Sequence, residues 1–231
     1  MNDGIDNEAR RAALKSRVDA IDDALPHDAA GRAAFFNTVY ETAGGDLGNV
    51  PWADQKPKDR LEAWLSAHPG AGRRGLDIAC GVGDNAEAIS AAGYATTAFD
   101  LAEDAVAWAK RRFPDSAVDY RVANLLDPPA GWHRAFDVVH ECYTIQSVPR
   151  AMHIAFAEAV ANFVAPGGSL LIYARYNPPG PLLGGAPWPL TDETLASFAS
   201  FGLVREHEDT FDLERPDRII PHRFAIWRRP E

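Results

Sequence analysis

The chain has 231 residues, 46% of them hydrophobic and 24% charged, which is ordinary globular composition and enough for one sizeable α/β domain with decoration. A formal net charge of −10 argues against a protein that grips a phosphate backbone, since such proteins carry a basic face. MNDGIDNEARR lacks an apolar signal region, no apolar run is long enough to span a bilayer, and the two cysteines, Cys80 and Cys142, fit neither a metal-ligand spacing nor a disulfide framework; the expectation is a cytoplasmic protein with no metal and no membrane or nucleic-acid partner.

In chain order, residues 7–25 carry Leu14, Val18, Ile21 and Leu25 at helical spacing and predict an amphipathic helix. A second helix is predicted over residues 29–42, with Phe35, Phe36, Val39 and Tyr40 on or near its buried side. The loop GGDLGNVPWADQKP follows, then a short helix over residues 59–67 that ends at HPGAG. From Arg74 onward strands and helices alternate. RGLDIAC and ATTAFD read as strands, each followed by a helix, DNAEAISAAG and AEDAVAWAKRRF. The latter has Glu103 and Asp104 in its first turn and Lys110, Arg111 and Arg112 in its last, complementing the macrodipole at both ends. VDYRVANLL and AFDVVHECY are predicted strands, residues 150–164 a helix, and PGG a turn into the strand SLLIYAR. TDETLASFASFG predicts a helix with Thr191 as N-cap. The tail gives two β-rich stretches, LVREHEDTF and HRFAIWRR, which can pair as a terminal hairpin.

Strands separated by helices predict right-handed βαβ units and an α/β, Rossmann-like, mostly parallel sheet with helices on both faces. Residues 1–72 are expected to form a helical lid and residues 73–231 the sheet domain. In such sheets ligands sit beyond the carboxyl ends of the strands, so the polar residues there carry the function.

The stretch LDIACGVGD poses the central question. Gly81, Gly83 and Ala86 satisfy the G-x-G-x-x-G/A dinucleotide fingerprint, and Asp100 follows at the end of the next strand, so an NAD(P)-dependent oxidoreductase is one reading. The charges argue against it. A pyrophosphate binds at a helix N-terminus, where Asp84 would repel it, and Asp77 adds a second negative charge inside the strand. A phosphate-free, cationic adenosine ligand suits such a turn better.

With LDIACGVGD at the first strand, FD at the end of the second, VANLLD after the third and FDVVHECY at the fourth, the chain resembles the class I S-adenosylmethionine-dependent methyltransferases over roughly residues 75–175. The resemblance implies S-adenosylmethionine as donor and S-adenosylhomocysteine as product. It implies that Gly81 and Gly83 let the backbone approach the methionine portion, that Ala79, Asp84 and Asn85 belong to the donor site, and that Asp77 orients the ammonium. Asp100 would take both ribose hydroxyls, Leu101 would pack on adenine, and Asn124 with the Leu125 amide would read the adenine edge. Asn85 stands where many members have a third glycine. Each residue also has a plainer use: Asp84 and Asp100 as helix caps, Asn124 as a turn residue, Cys80 as a small packed side chain.

The acceptor side is expected from the end of the fourth strand, the N-terminal segment and the loop after the fifth strand. Glu141 and Tyr143 are the candidate catalytic residues, Glu141 also being placed beside the donor. Tyr40, Trp52, Tyr143, Arg175 and Trp188 are candidate substrate contacts, the tryptophans as walls that exclude water and face the sulfonium. The alternatives are that the tryptophans anchor loops, and that Glu141 satisfies a backbone donor or pairs with an arginine such as Arg175. Strand alternation turns His140 away from Glu141. More loosely, a tyrosine helix, PWAD, the glycine motif and GAPWPL resemble the thiopurine, tellurite-resistance and thiol methyltransferase group, which implies a small acceptor: a thiol, thiopurine or chalcogen anion. O- or N-methylation of a small metabolite stays open, as do a non-catalytic donor-binding domain and the choice between monomer and dimer.

Overall fold

The computed structural model describes residues 3–215 and 218–231, with side chains from residue 13 onward. Helix α1 (Asp3–Asp23) leaves Leu14, Val18 and Ile21 half-buried, the stripe that their spacing predicts, and ends before Leu25, which is half-buried beyond it. Helix α2 (Ala29–Thr42) is capped by Asp28, whose carboxylate accepts from the Gly31 amide at 2.8 Å, and it buries Phe35, Val39 and Tyr40. Helix α3 is Asp59–Ala67.

The alternating region then builds β1 (Arg74–Ile78), α4 (Asp84–Ala91), β2 (Ala95–Asp100), α5 (Glu103–Arg112), β3 (Asp119–Val122), β4 (Phe136–Cys142), α6 (His153–Ala161), β5 (Val164–Arg175), α7 (Asp192–Ser200), β6 (Val204–Arg215) and β7 (Arg218–Arg228). The strands form one sheet in the order β3-β2-β1-β4-β5-β7-β6. β1 to β5 run parallel, and β7 is antiparallel to both β5 and β6, so the terminal hairpin closes the sheet edge.

Three elements differ from their sequence reading. The VDYRVANLL strand stops at Val122, because Asn124 turns the chain with its side chain accepting from the Leu126 amide at 2.9 Å. The helix expected over 150–164 is α-helical only from His153, after a 3₁₀ turn at Arg150–Met152. PGG does not precede β5 but lies within it, where the pairing with β4 shifts register between Phe136 and Val138.

One face of the sheet packs Ile78, Phe99, Val139, Leu170 and Ile172 with α6 and α7 into the main core. The other packs Val138, Leu171, Tyr173 and Phe224 against Leu61 of α3 and Ile89 of α4. The N-terminal segment is not a separate layer. Tyr40, Ala43 and Val50 share a buried cluster with Val82, Ala102, Ala105 and Trp108, which seats α2 over the glycine turn. Among the described residues no helix is long and apolar enough to cross a membrane.

Candidate active site

The carboxyl ends of β1, β2, β4 and β5 meet along one rim. At the end of β1 the chain turns through three left-handed residues, Ala79 (φ 47°), Gly81 (φ 54°) and Gly83 (φ 97°). The Gly83 position has no room for a side chain: a Cβ there would fall against the Tyr120 hydroxyl, 3.1 Å from its Cζ and 3.3 Å from the Ala109 Cβ. The third left-handed position is therefore Ala79, not Asn85, which lies inside α4 and accepts from the Lys58 amide at 3.0 Å. An alanine held at positive φ costs about 1–2 kcal/mol. Ala79→Gly is expected to raise stability by up to about 1 kcal/mol, part of the gain being offset by the freer unfolded chain. Urea denaturation checks this, and a loss of stability would contradict the strain.

Asp100 ties the turn to the end of β2. Its Oδ2 accepts from the Gly81 amide and its Oδ1 from the Ala102 amide, both at 2.9 Å. Burial pushes its carboxyl up to about 6, against the pull of those amides. An ionised carboxylate has about four acceptor sites, so lone pairs remain for two more donors. Leu101 beside it is 37% exposed, an apolar face without cover at this rim.

The two acids that flank the glycines are both engaged by cations or rings on the protein side. Asp84 forms a two-pronged pair with Arg112, both bonds 2.8 Å, and Arg112 also donates to the Val82 carbonyl at 2.6 Å. Its charge is thus largely neutralised from behind, which weakens the simple repulsion argument made from sequence. Asp77 lies beside His140 across the β1–β4 pairing, with His140 Nδ1 2.8 Å from Asp77 Oδ1. Both are fully buried, and Asp77 Oδ2 and His140 Nε2 have no partner among the described residues. A buried carboxylate oxygen left unpaired is costly, and a cationic ligand group would satisfy it.

Glu141 points to the opposite face from His140 and is wholly buried. Its Oε1 accepts from the Thr144 and Ile145 amides at 2.7 and 3.0 Å, so the carboxylate caps the turn that follows β4. Burial raises its carboxyl to about 7, opposed by those amides and by His140. A raised carboxyl favours the fold below the unfolded value near 4.5, and that contribution is lost as pH rises through 7. Glu141→Gln keeps an acceptor for the two amides and cannot ionise. Its melting temperature relative to the parent is expected to climb between pH 5 and pH 8, by the equivalent of about 1–3 kcal/mol. A pH-independent difference would contradict the raised value.

The predicted acceptor contacts fall into three places. Tyr40 and Trp52 sit over the glycine turn: Trp52 Nε1 donates to the Tyr40 hydroxyl at 2.8 Å, and that hydroxyl lies 3.1 Å from where a Gly81 Cβ would be. Trp188 is at the corner with the N-terminal helices, where the Arg32 guanidinium stacks 5.4 Å from its ring and is itself paired with Asp22. Tyr143 and Arg175 lie together at the ends of β4 and β5. Tyr143 has φ 65°, rare for a bulky side chain, and its hydroxyl is 2.8 Å from His222 Nε2. His222 Nδ1 faces the Ile220 carbonyl at 2.8 Å, so Nδ1 carries the proton and Nε2 accepts from Tyr143. Burial lowers His222 to about 4, with Arg175, Lys58 and Arg215 adding to the effect, so the ring is neutral. Sequence reasoning missed His222, whose only mark is its place opposite Arg175 in the β5–β7 pairing.

This strand order, with a glycine turn after β1 and an acid closing β2, defines the class I methyltransferase fold. Residues 76–168 match the model of a family described as a methyltransferase domain. Over 108 residues the chain is 37% identical to a ubiquinone biosynthesis O-methyltransferase of Xanthomonas campestris, a match covering 46% of this chain and 44% of that protein. The chain thus spans about half the length of the curated relatives it matches. Among solved structures, the 1,6-didemethyltoxoflavin-N1-methyltransferase of Burkholderia thailandensis, with 1,6-didemethyltoxoflavin and S-adenosylhomocysteine bound, superposes with a TM-score of 0.67 at 20% identity, covering 89% of this chain and 91% of that one. A protein solved in work on the conversion of a disulfide bond into a thioacetal group during echinomycin biosynthesis gives 0.68 at 23% identity, covering 86% and 92%. These likenesses establish the fold.

Proposed function

We propose that this chain binds S-adenosylmethionine at the Gly81–Gly83 turn and methylates a small-molecule acceptor. The observation that carries the reading is the junction at Asp100, whose carboxylate locks the glycine turn to β2 while keeping lone pairs free at the rim. The residues fit the donor. Asp100 has acceptor capacity for the ribose hydroxyls, exposed Leu101 offers a face for adenine, and the exposed Asn124 carries an amide oxygen for the adenine amino group. The unpartnered Asp77 Oδ2 suits the ammonium.

The donor supplies a methyl group already activated on a sulfonium. The protein's part is to align the acceptor and exclude water. Tyr40 and Trp52 cover the turn from the N-terminal segment, so residues 1–72 act as the cover of the donor site. Tyr143 faces the acceptor, and Glu141 positions it by holding the turn at Thr144 and Ile145. The acceptor is a small soft nucleophile such as a thiol, thiopurine or chalcogen anion. A hydroxyl acceptor is the second reading, favoured by the similarity to O-methyltransferases. Methyl-labelled donor incubated with panels of thiols, chalcogen oxyanions and phenols tests this: label is expected in at least one class with equimolar S-adenosylhomocysteine. Donor binding without transfer to any of the three classes would contradict it.

A further inference from the structure

The rim beside Tyr143 is cationic in a chain whose net charge is −10. Arg175 ends β5, and its backbone is held on three sides. Its amide donates to Gln146 Oε1 at 2.6 Å, its carbonyl accepts from the Leu190 amide at 2.9 Å, and it pairs with His222 across the β5–β7 ladder. The guanidinium is only partly exposed, yet no carboxylate or other acceptor among the described residues meets it. Burial disfavours its charge, Tyr143 favours it, and Arg218 and Arg215 from the hairpin disfavour it further. Lys58 lies 4.6 Å over the Tyr143 ring and 5.2 Å over Tyr173, but it is already paired with Asp54. Arg175 is therefore a half-buried cation left unanswered among the described residues.

Among the described residues around Tyr143 no exposed base is left unpaired: Asp54 is held by Lys58. His222 is neutral and accepts from Tyr143, the Tyr143 hydroxyl is pushed well above its usual range by burial, and Glu141, whose Oε2 has no partner among the described residues, is wholly buried. A site without an exposed, unpaired base suits an acceptor that arrives already ionised. Taking the methyltransferase reading as given, we propose that Arg175 binds the negative charge of an anionic acceptor, a small organic carboxylate, phenolate or thiolate, and so sets the substrate class. The strained backbone at Tyr143 is consistent with a side chain fixed for a ligand and not for packing alone.

Calorimetry of the full chain saturated with S-adenosylhomocysteine tests this with three benzene probes of similar size: benzoate, benzamide and benzylamine. Benzoate is expected to bind at least tenfold tighter than benzamide, with benzylamine weakest. Arg175→Gln should remove the benzoate preference, Arg175→Lys should keep part of it, and both variants should bind S-adenosylhomocysteine as the parent does, which also reports their folding. Equal binding of the three probes, binding of none, a preference for benzylamine, or a benzoate preference that survives Arg175→Gln would each overturn the proposal. If S-adenosylhomocysteine itself does not bind the parent, it is the methyltransferase reading that has failed.

Discussion

Asp100→Ala is expected to weaken S-adenosylhomocysteine binding by about ten- to a hundredfold, measured by calorimetry at pH 7.5. A charge-assisted hydrogen bond contributes about 1.5–3 kcal/mol, and the substitution removes the ribose acceptor together with the bond that holds the Gly81 amide in place. The effect has a pH signature. Burial holds this carboxyl near 6, and hydroxyl donors from a ribose stabilise its ionised form. Donor affinity of the parent should therefore rise as pH climbs through 6, by at most tenfold per unit below that value, and level off above it. In Asp100→Ala that rise should vanish. Unchanged affinity in the variant would remove the ribose assignment. A persisting pH dependence would assign it to another group.

Gly83→Ala is expected to destabilise the fold by about 2–5 kcal/mol, combining about 1–2 for a side chain at positive φ with about 1–3 for overpacking. The new Cβ has no space because Tyr120 and Ala109 already fill it. For a chain of this size that lowers the melting temperature by roughly 5–15 °C. The two causes separate in a double variant. Tyr120→Phe removes the hydroxyl that the Cβ would meet, at the expense of its 2.7 Å bond to Glu87, and should recover part of the loss in the Gly83→Ala background while costing stability alone. The remainder belongs to the backbone. If Gly83→Ala melts with the parent, the turn is softer than its packing indicates.

The parts of the molecule that sequence made legible are those decided locally. α2 and α3 lie at the predicted 29–42 and 59–67, because Asp28 caps the first and Pro57 and the HPGAG turn bracket the second. Thr191 caps α7 as expected, its hydroxyl accepting from the Thr194 amide. The sheet order follows from strands alternating with helices, and the closing hairpin from two adjacent β-rich stretches. What escaped was set by distant partners. Arg112 neutralises Asp84 from 28 positions away, and His222 joins Tyr143 from 79 away. Neither pairing leaves a trace in local pattern. Ala79 escaped for a different reason: its residue type argues against the left-handed backbone that the turn imposes on it. Tyr40 and Trp52 read as substrate contacts, and only the packing of α2 over α5 places them above the glycine turn. Glu141 lies at the expected end of β4, but its neighbours in the following turn claim its carboxylate.

The central claim is that the turn after β1 receives a phosphate-free adenosine ligand, and thermal denaturation with competing ligands tests it most directly. A ligand present at a hundred times its dissociation constant stabilises by about 2.7 kcal/mol, roughly 5–10 °C here. S-adenosylhomocysteine is predicted to give such a shift and NAD(H) none. A shift with NAD(H) and none with S-adenosylhomocysteine would contradict the account.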